Sequence, residues 1–363
     1  QTELLATELM ESLLISKHDL LDIEDETDNI DEFTNETPYD ILMTKAMNND
    51  LEHEPVEAPS SSSRYRNTDK IDAILHSVED QDMKDRLKKW LYKYTEVFDT
   101  ELNERHAKTA PFVFETKPDS NWHSVQANKA APRWQMMTKQ KEVERFINQA
   151  LKAKLIRPSK ATAWSQVHLT PKPNGKWRFC IDFRNLNANT TSEGWPLPNI
   201  KDILQRISQT GAKYFAVLDL TQGYYQMLID ETCRHLTAFR TAFGLFEWCR
   251  LPMGLKGAGS FYQRHMQMDV LDGLIYQICE SYLDDILVYG KTKKELSENL
   301  ETVVSRLRSH GMTINPEKVK INMEYVEYVG HIIDKYGFSF SKEKRLKVTD
   351  FRTPEQAKDM KQF

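Results

Sequence analysis

Two adjacent acids, Asp284 and Asp285, interrupt the stretch SYLDDILVYG, whose surroundings LIYQICE and ILVY are β-branched, aromatic and apolar. A third acid, Asp219, closes the apolar stretch YFAVLDL, 65 residues before Asp284. Carboxylates about 4 Å apart repel by roughly 1–4 kcal/mol, and a turn that needs only geometry is better served by Asn-Gly or Asp-Gly. The pair therefore calls for something positive, and a divalent cation is the obvious candidate. Three carboxylates from two elements make a hard, oxygen-only set that suits Mg²⁺ better than zinc. Two such ions can activate a 3′-hydroxyl and steady a departing pyrophosphate in an in-line displacement. Taken alone, an Asp-Asp pair is also compatible with any exposed hairpin.

The strands and helices around these acids follow from apolar spacing. YFAVLDL reads as a strand, and Asp284–Asp285 as the turn of a hairpin. Behind it, ELSENLETVVSRLRSHG is a helix with Leu296, Leu300, Val303, Val304 and Leu307 inward and Gly311 as its stop signal. Upstream, WSQVHLT and NGKWRFCIDF form a hairpin about Asn174–Gly175. TAFGLFEWCRL reads as one further strand, and KGAGSFYQRHMQMDVL as a helix after a loose Gly-rich turn. TIN and YVEYVGHII read as closing strands. Helical periodicity also covers 68–98, with Leu87, Trp90, Leu91, Tyr94 and Phe98 on one face, and 138–155, with Val143, Phe146, Ile147, Ala150 and Leu151.

Composition narrows the class. The 363 residues suffice for two or more domains, and no run approaches the roughly 18 apolar residues of a membrane span. A first residue of Gln suggests a processed product or a fragment. Four scattered cysteines, Cys180, Cys233, Cys249 and Cys279, argue against a zinc site or a disulfide framework. Residues 1–60 hold 17 acids against two basic residues, a net −15, so the rest carries +10 within the overall −5. An acidic tail before a basic body is common in nucleic-acid-binding proteins, and equally fits a solvated linker on an ordinary globule.

The residues around the acids do more. YLDD (282–285) resembles the catalytic box of reverse transcriptases. In chain order, LIRPSKATAWSQVHLTPKPNGKWRFCIDFRNLN, WPLPNIKDIL, FAVLDLTQGYYQMLI, TAFRTAFGLFEWCRLPMGLKGAGSFYQ, LRSHGMTINPEKV and EYVEYVGHIID resemble the reverse transcriptase region of gypsy-type (Metaviridae) long-terminal-repeat retrotransposon Pol polyproteins. The resemblance runs from about 125 to 360.

It implies an α+β right-hand polymerase: fingers, an antiparallel ferredoxin-like palm sheet backed by helices, and a truncated thumb. The implied activity is RNA-directed DNA synthesis with two Mg²⁺ (or Mn²⁺), a template RNA, a DNA primer or RNA–DNA hybrid, and dNTPs. Asp219, Asp284 and Asp285 match the metal-binding acids. Tyr224 matches the aromatic beneath the sugar, whose ring would collide with a ribose 2′-hydroxyl; on its residues alone it is ordinary sheet packing. Arg178 and Lys172 match triphosphate contacts of the fingers hairpin, or are simply solvated charges. The backbone of Gln222 and Gly223 would lie under the triphosphate, and Met253 would pack near the nucleotide. Lys318, with Lys320 as a rival, matches the lysine that protonates pyrophosphate. Tyr328, Val329, Gly330 and His331 resemble the primer grip.

PMGLKGAGSFYQ departs from a box usually close to PFGLxNAPxxFQ. Met253 replaces Phe or Gln, and the missing Pro after Ala258 is expected to loosen the next turn. The layout implied is an aspartic-protease remnant over 1–22 without an Asp-Thr/Ser-Gly triplet, then an acidic linker over 23–66. A helical segment and connector follow over 67–135, fingers and palm over 136–340 (core 155–334), and a clipped thumb or connection over 341–363. Cytoplasmic particles would be the setting. The alternative is a catalytically silent nucleic-acid-binding fragment; an RNA-dependent RNA polymerase fits Tyr224 and YLDD less well.

Overall fold

The computed structural model describes residues 61–341 except 102–103, 134–135, 172–174, 176 and 193. The expected protease remnant, nearly all of the acidic linker, the stretch 342–363 and Lys172 lie outside these residues. In chain order the helices and strands are α1 (Ser61–Ser77), α2 (Gln81–Leu91), α3 (Met137–Lys152), β1 (Ile156–Pro158), β2 (Ser165–Pro171) and β3 (Trp177–Asp182). There follow α4 (Arg184–Ala188), α5 (Ile200–Thr210), β4 (Tyr214–Asp219), β5 (Phe239–Thr241), β6 (Gly244–Trp248) and α6 (Ala258–His265). The last are β7 (Cys279–Tyr282), β8 (Asp285–Gly290), α7 (Lys293–Ser309), β9 (Lys320–Met323), β10 (Tyr325–Tyr328), β11 (His331–Asp334) and β12 (Gly337–Phe340). No described helix is long and apolar enough to cross a membrane.

One sheet has the order β7-β8-β4-β9, antiparallel throughout. Its strands alternate between two cores, as the two-residue strand period requires. Ala216, Leu218, Ile286 and Val288 join the larger core, which also holds Leu296, Leu300, Val303, Val304 and Leu307 of α7. Phe215, Val217, Leu287 and Tyr289 face Ile203, Leu204 and Ile207 of α5 and Val326, Tyr328 and Ile333 of the β10–β11 hairpin. This is the α+β sheet backed by helices that the resemblance implies. A second sheet, β1-β6-β5-β2-β3, carries the β2–β3 hairpin, paired from Gln166–Asp182 to Pro171–Trp177 about Gly175.

Local chemistry sets the ends. The Thr292 hydroxyl accepts from the Glu295 amide and starts α7; Gly311, at φ +70°, lets the chain turn away. A Cβ on Gly311 would sit 2.7 Å from the His106 carbonyl, so the close approach also demands glycine.

Three expectations need correction. The 68–98 helix is broken before Gln81, because the Asp80 carboxylate accepts from the Met83 amide and caps a new helix; beyond Leu91 the chain tightens to a 3₁₀ turn over Tyr92–Val97. TAFGLFEWCRL holds the one strand expected of it, β6, which folds back at Thr241–Gly244, with Gly244 at φ +140°, to pair with β5 just upstream. TIN makes only isolated bridges, Ile314 to Phe98 and to Leu220. YVEYVGHII is a tight hairpin whose turn residues Val329 and Gly330 both have positive φ, as a two-residue type I′ turn needs.

Candidate active site

Strands β4 and β8 pair so that Asp219 stands opposite Asp285. Tyr282 pairs with Asp285 across β7–β8, which leaves Leu283 and Asp284 as the two-residue turn. Leu283 takes φ +53°, a conformation normally given to glycine. The surroundings over-determine it. The Leu283 amide donates to Gln263 Oε1 (2.7 Å), Gln263 Nε2 donates to the Ser281 carbonyl (3.1 Å), and the Leu220 amide donates to the Asp284 carbonyl (3.2 Å). Gln263 lies on α6 and is fully buried.

Burial disfavours the charged form of Asp284 and Asp285. Burial first, then Asp284 and Asp219, push the Asp285 carboxyl up to about 6. Burial, then Asp219, raises Asp284 against the pull of Lys318 and a backbone hydrogen bond. Lys318, in the Pro316–Lys318 turn, sets its ammonium 2.9 and 3.1 Å from the two oxygens of Asp219. Lys320 instead opens β9, which pairs with β4 at Val217. Among the described residues no group of three or more His, Cys, Asp or Glu side chains is assembled as a metal cage. The residues still fit a hard divalent cation: the donors are all carboxylate oxygens, burial raises two of these carboxyls, which a cation would offset, and Asp219 already carries a cationic stand-in.

Beyond Asp219 the chain turns through Thr221, Gln222 (φ +47°) and Gly223. Gln226 pins that turn: its Nε2 donates to the carbonyls of Thr221 (2.8 Å) and Thr313 (3.0 Å), and its Oε1 accepts from the Thr313 amide (2.8 Å). Tyr224 stacks on Tyr262, with ring centroids 4.8 Å apart and planes at 15°. A Cβ on Gly223 would meet the Tyr262 hydroxyl at 2.4 Å and Asp284 Cβ at 3.1 Å, so only glycine fits. Tyr225 stacks instead on buried Trp248 and serves the core.

Gly257, at φ +80°, precedes Ala258, the first residue of α6, so the expected loosened turn is already helix. Met253 is 54% exposed in the turn before it. Arg178 is exposed on β3, paired with Thr170. The β10–β11 hairpin places Tyr328 under the acids, its hydroxyl donating to the Asp285 carbonyl at 3.3 Å, while His331 Nδ1 lies 3.0 Å from the Val329 carbonyl. Asp219, Asp284, Asp285, Lys318, Gly223 and Tyr328 thus converge around the β4–β8 end; Arg178 and Met253 make no described contact with them.

Sequence reading missed Gln263, Tyr262 and Gln226. The signal was a polar residue inside an apolar pattern: Gln226 beside Met227, and Gln263 between Tyr262 and the helix interior.

Residues 170–333 match the family described as reverse transcriptase (RNA-dependent DNA polymerase). The chain is 34% identical over 227 residues to the retrovirus-related Pol polyproteins from transposons opus and gypsy of Drosophila melanogaster, covering 61% of this chain and 22% of each relative. It is 30% identical over 218 residues to the transposon Tf2-3 polyprotein of Schizosaccharomyces pombe, covering 60% of this chain and 16% of that one. The chain thus spans about a fifth of the length of these relatives. Among solved structures it resembles the foamy viral protease-reverse transcriptase, in complex with RNA/DNA hybrid (TM-score 0.63, 21% identity, 85% of this chain, 40% of that one). A dRH form in complex with ds DNA gives TM-score 0.67 at 22% identity, over 86% of this chain and 53% of that one. The fold is that of a reverse transcriptase polymerase domain, and the sequence similarity is to the gypsy type.

Proposed function

We infer that this chain, with a reverse transcriptase domain over residues 170–333, supplies the fingers and palm of an RNA-directed DNA polymerase that adds dNMP to a primer 3′-hydroxyl on an RNA or DNA template. The observation that carries the reading is the pairing of Asp219 with Asp285 beside the clamped Asp284 turn, with Lys318 on Asp219. Asp219, Asp284 and Asp285 would hold the divalent cations. Bound Mg²⁺ supplies neutralisation of the triphosphate and activation of the 3′-hydroxyl.

The protein's own groups then do the rest. The turn 222–223 offers backbone to the triphosphate, and Arg178, with Lys172, offers guanidinium and ammonium from the fingers hairpin. Tyr224, braced from below by Tyr262, excludes a 2′-hydroxyl. Lys318 stands at the acids, where it can pass a proton to departing pyrophosphate. The Val329–Gly330 turn positions the primer end and is tied through Tyr328 to the strand of Asp285. Support for nucleic acid as partner comes from the structural relatives, which are complexes with RNA/DNA hybrid and with ds DNA. Retroelement particles in the cytoplasm are the proposed setting.

The ion pair between Lys318 and Asp219 also favours a second reading, a binding fragment whose acids stay closed to cations. Primer extension on RNA and on DNA templates, measured beside hybrid affinity, separates the two. Dideoxynucleotide-terminated ladders on RNA that vanish with Asp284→Asn support the polymerase; tight hybrid binding without extension in Mg²⁺ or Mn²⁺ supports the fragment.

A further inference from the structure

Tyr262 is fully buried on α6, yet its hydroxyl has no hydrogen-bond partner among the described residues. Its place is fixed on both sides. The neighbouring Gln263 is bonded to the Leu283 amide and the Ser281 carbonyl, and the Tyr262 ring lies flat against Tyr224. The hydroxyl and Asp284 Cβ both close on the same point above Gly223, so they are no farther apart than those two contacts together. A phenol keeps its proton at neutral pH and so offers one donor. A buried donor left unmatched is costly and calls for an explanation.

Resting on the polymerase reading, we propose that Tyr262 is a positioning residue of the acid cluster: its hydroxyl donates a hydrogen bond to the Asp284 carboxylate when that carboxylate turns to take a divalent cation. Its ring meanwhile fixes the plane of Tyr224. One side chain thereby couples the floor of the sugar pocket to a cation-holding acid.

The test separates ring from hydroxyl, using the full chain and Mn²⁺ alone as probe. Tyr262→Phe keeps the stack and loses only the donor. It is expected to bind Mn²⁺ about tenfold more weakly in a paramagnetic resonance titration, with an equal or higher thermal midpoint and an unchanged preference for dNTP over rNTP. Tyr262→Leu is expected to lose both cation affinity and that preference. Mn²⁺ binding by Tyr262→Phe equal to wild type would overturn the proposal alone. Wild-type Mn²⁺ binding that is absent, or indifferent to Asp284→Asn, would overturn it together with the cation-binding reading of the acids.

Discussion

Lys318 Nζ bonds both carboxylate oxygens of Asp219, at 3.1 and 2.9 Å. The acid at the end of the central strand is therefore neutralised by a residue of the same chain. That lysine follows Asn315, whose amide donates to the Asp219 carbonyl at 2.8 Å, so backbone and side chain meet the acid together. A divalent cation arriving at Asp219 has to displace this ammonium, to which the proposed function also gives a task in the chemistry.

Removing that ammonium should split binding from turnover. Lys318→Ala is expected to bind Mn²⁺ several-fold more tightly, because the competitor is gone, while single-turnover nucleotide addition falls on the order of 10²-fold with the loss of a proton donor. Cation titration and rapid-quench primer extension on the same preparation read both quantities. A parallel fall in both would show that Lys318 assembles the site instead of competing for it.

The turn that carries Asp284 should depend on Gln263. Gln263→Met keeps the bulk but leaves the Leu283 amide and the Ser281 carbonyl unmatched, and should cost about 1–3 kcal/mol in urea unfolding. Because Leu283 at φ +53° relies on this clamp, nucleotide addition should fall further than stability alone explains. A variant of unchanged stability and activity would show the turn to be held elsewhere.

Sugar selection should rest on a stacked pair. Tyr224→Ala removes the upper ring over Tyr262, and rNTP incorporation relative to dNTP should rise by at least about tenfold. Tyr225→Phe, on the Trp248 side, should leave that ratio alone. Competition assays with mixed nucleotides at one template position measure both.

Arg206 of α5 grips Glu280 of β7 with two 2.9 Å bonds, and Glu280 is 1% exposed. Burial raises the Glu280 carboxyl and Arg206 pulls it back. An acid whose folded pKa is raised binds more protons folded than unfolded, so its contribution to stability is full below the ordinary glutamate range and declines as pH rises through the folded value. Arg206→Ala removes the opposing cation, so the loss, about 3–5 kcal/mol near pH 8, should shrink toward pH 5. Urea denaturation at the two pH values checks the sign.

The acids, their strands and helix α7 were legible because strand and helix periods are local. Asp219 ends a short continuous apolar run of strand length, and Leu296 through Leu307 repeat at helical spacing. What was not legible depended on chain segments meeting in space. Gln263 reads as one polar residue in FYQ until the turn 20 residues later is folded onto it. The choice between Lys318 and Lys320 turns on the Pro316–Lys318 turn, which sends one to Asp219 and the other into β9. The break at Asp80 was visible in residue type but outweighed by the apolar pattern on both sides.

The most direct measurement is single-nucleotide addition of dTTP to oligo(dT) on poly(rA) in Mg²⁺, comparing wild type with Asp219→Asn, Asp284→Asn and Asp285→Asn, each checked for native unfolding midpoints. Addition by the wild type that is lost, or cut by orders of magnitude, in the folded Asp219 and Asp284 variants is the expected result. Addition that survives both substitutions in folded protein would contradict the assignment of these acids as the polymerase site.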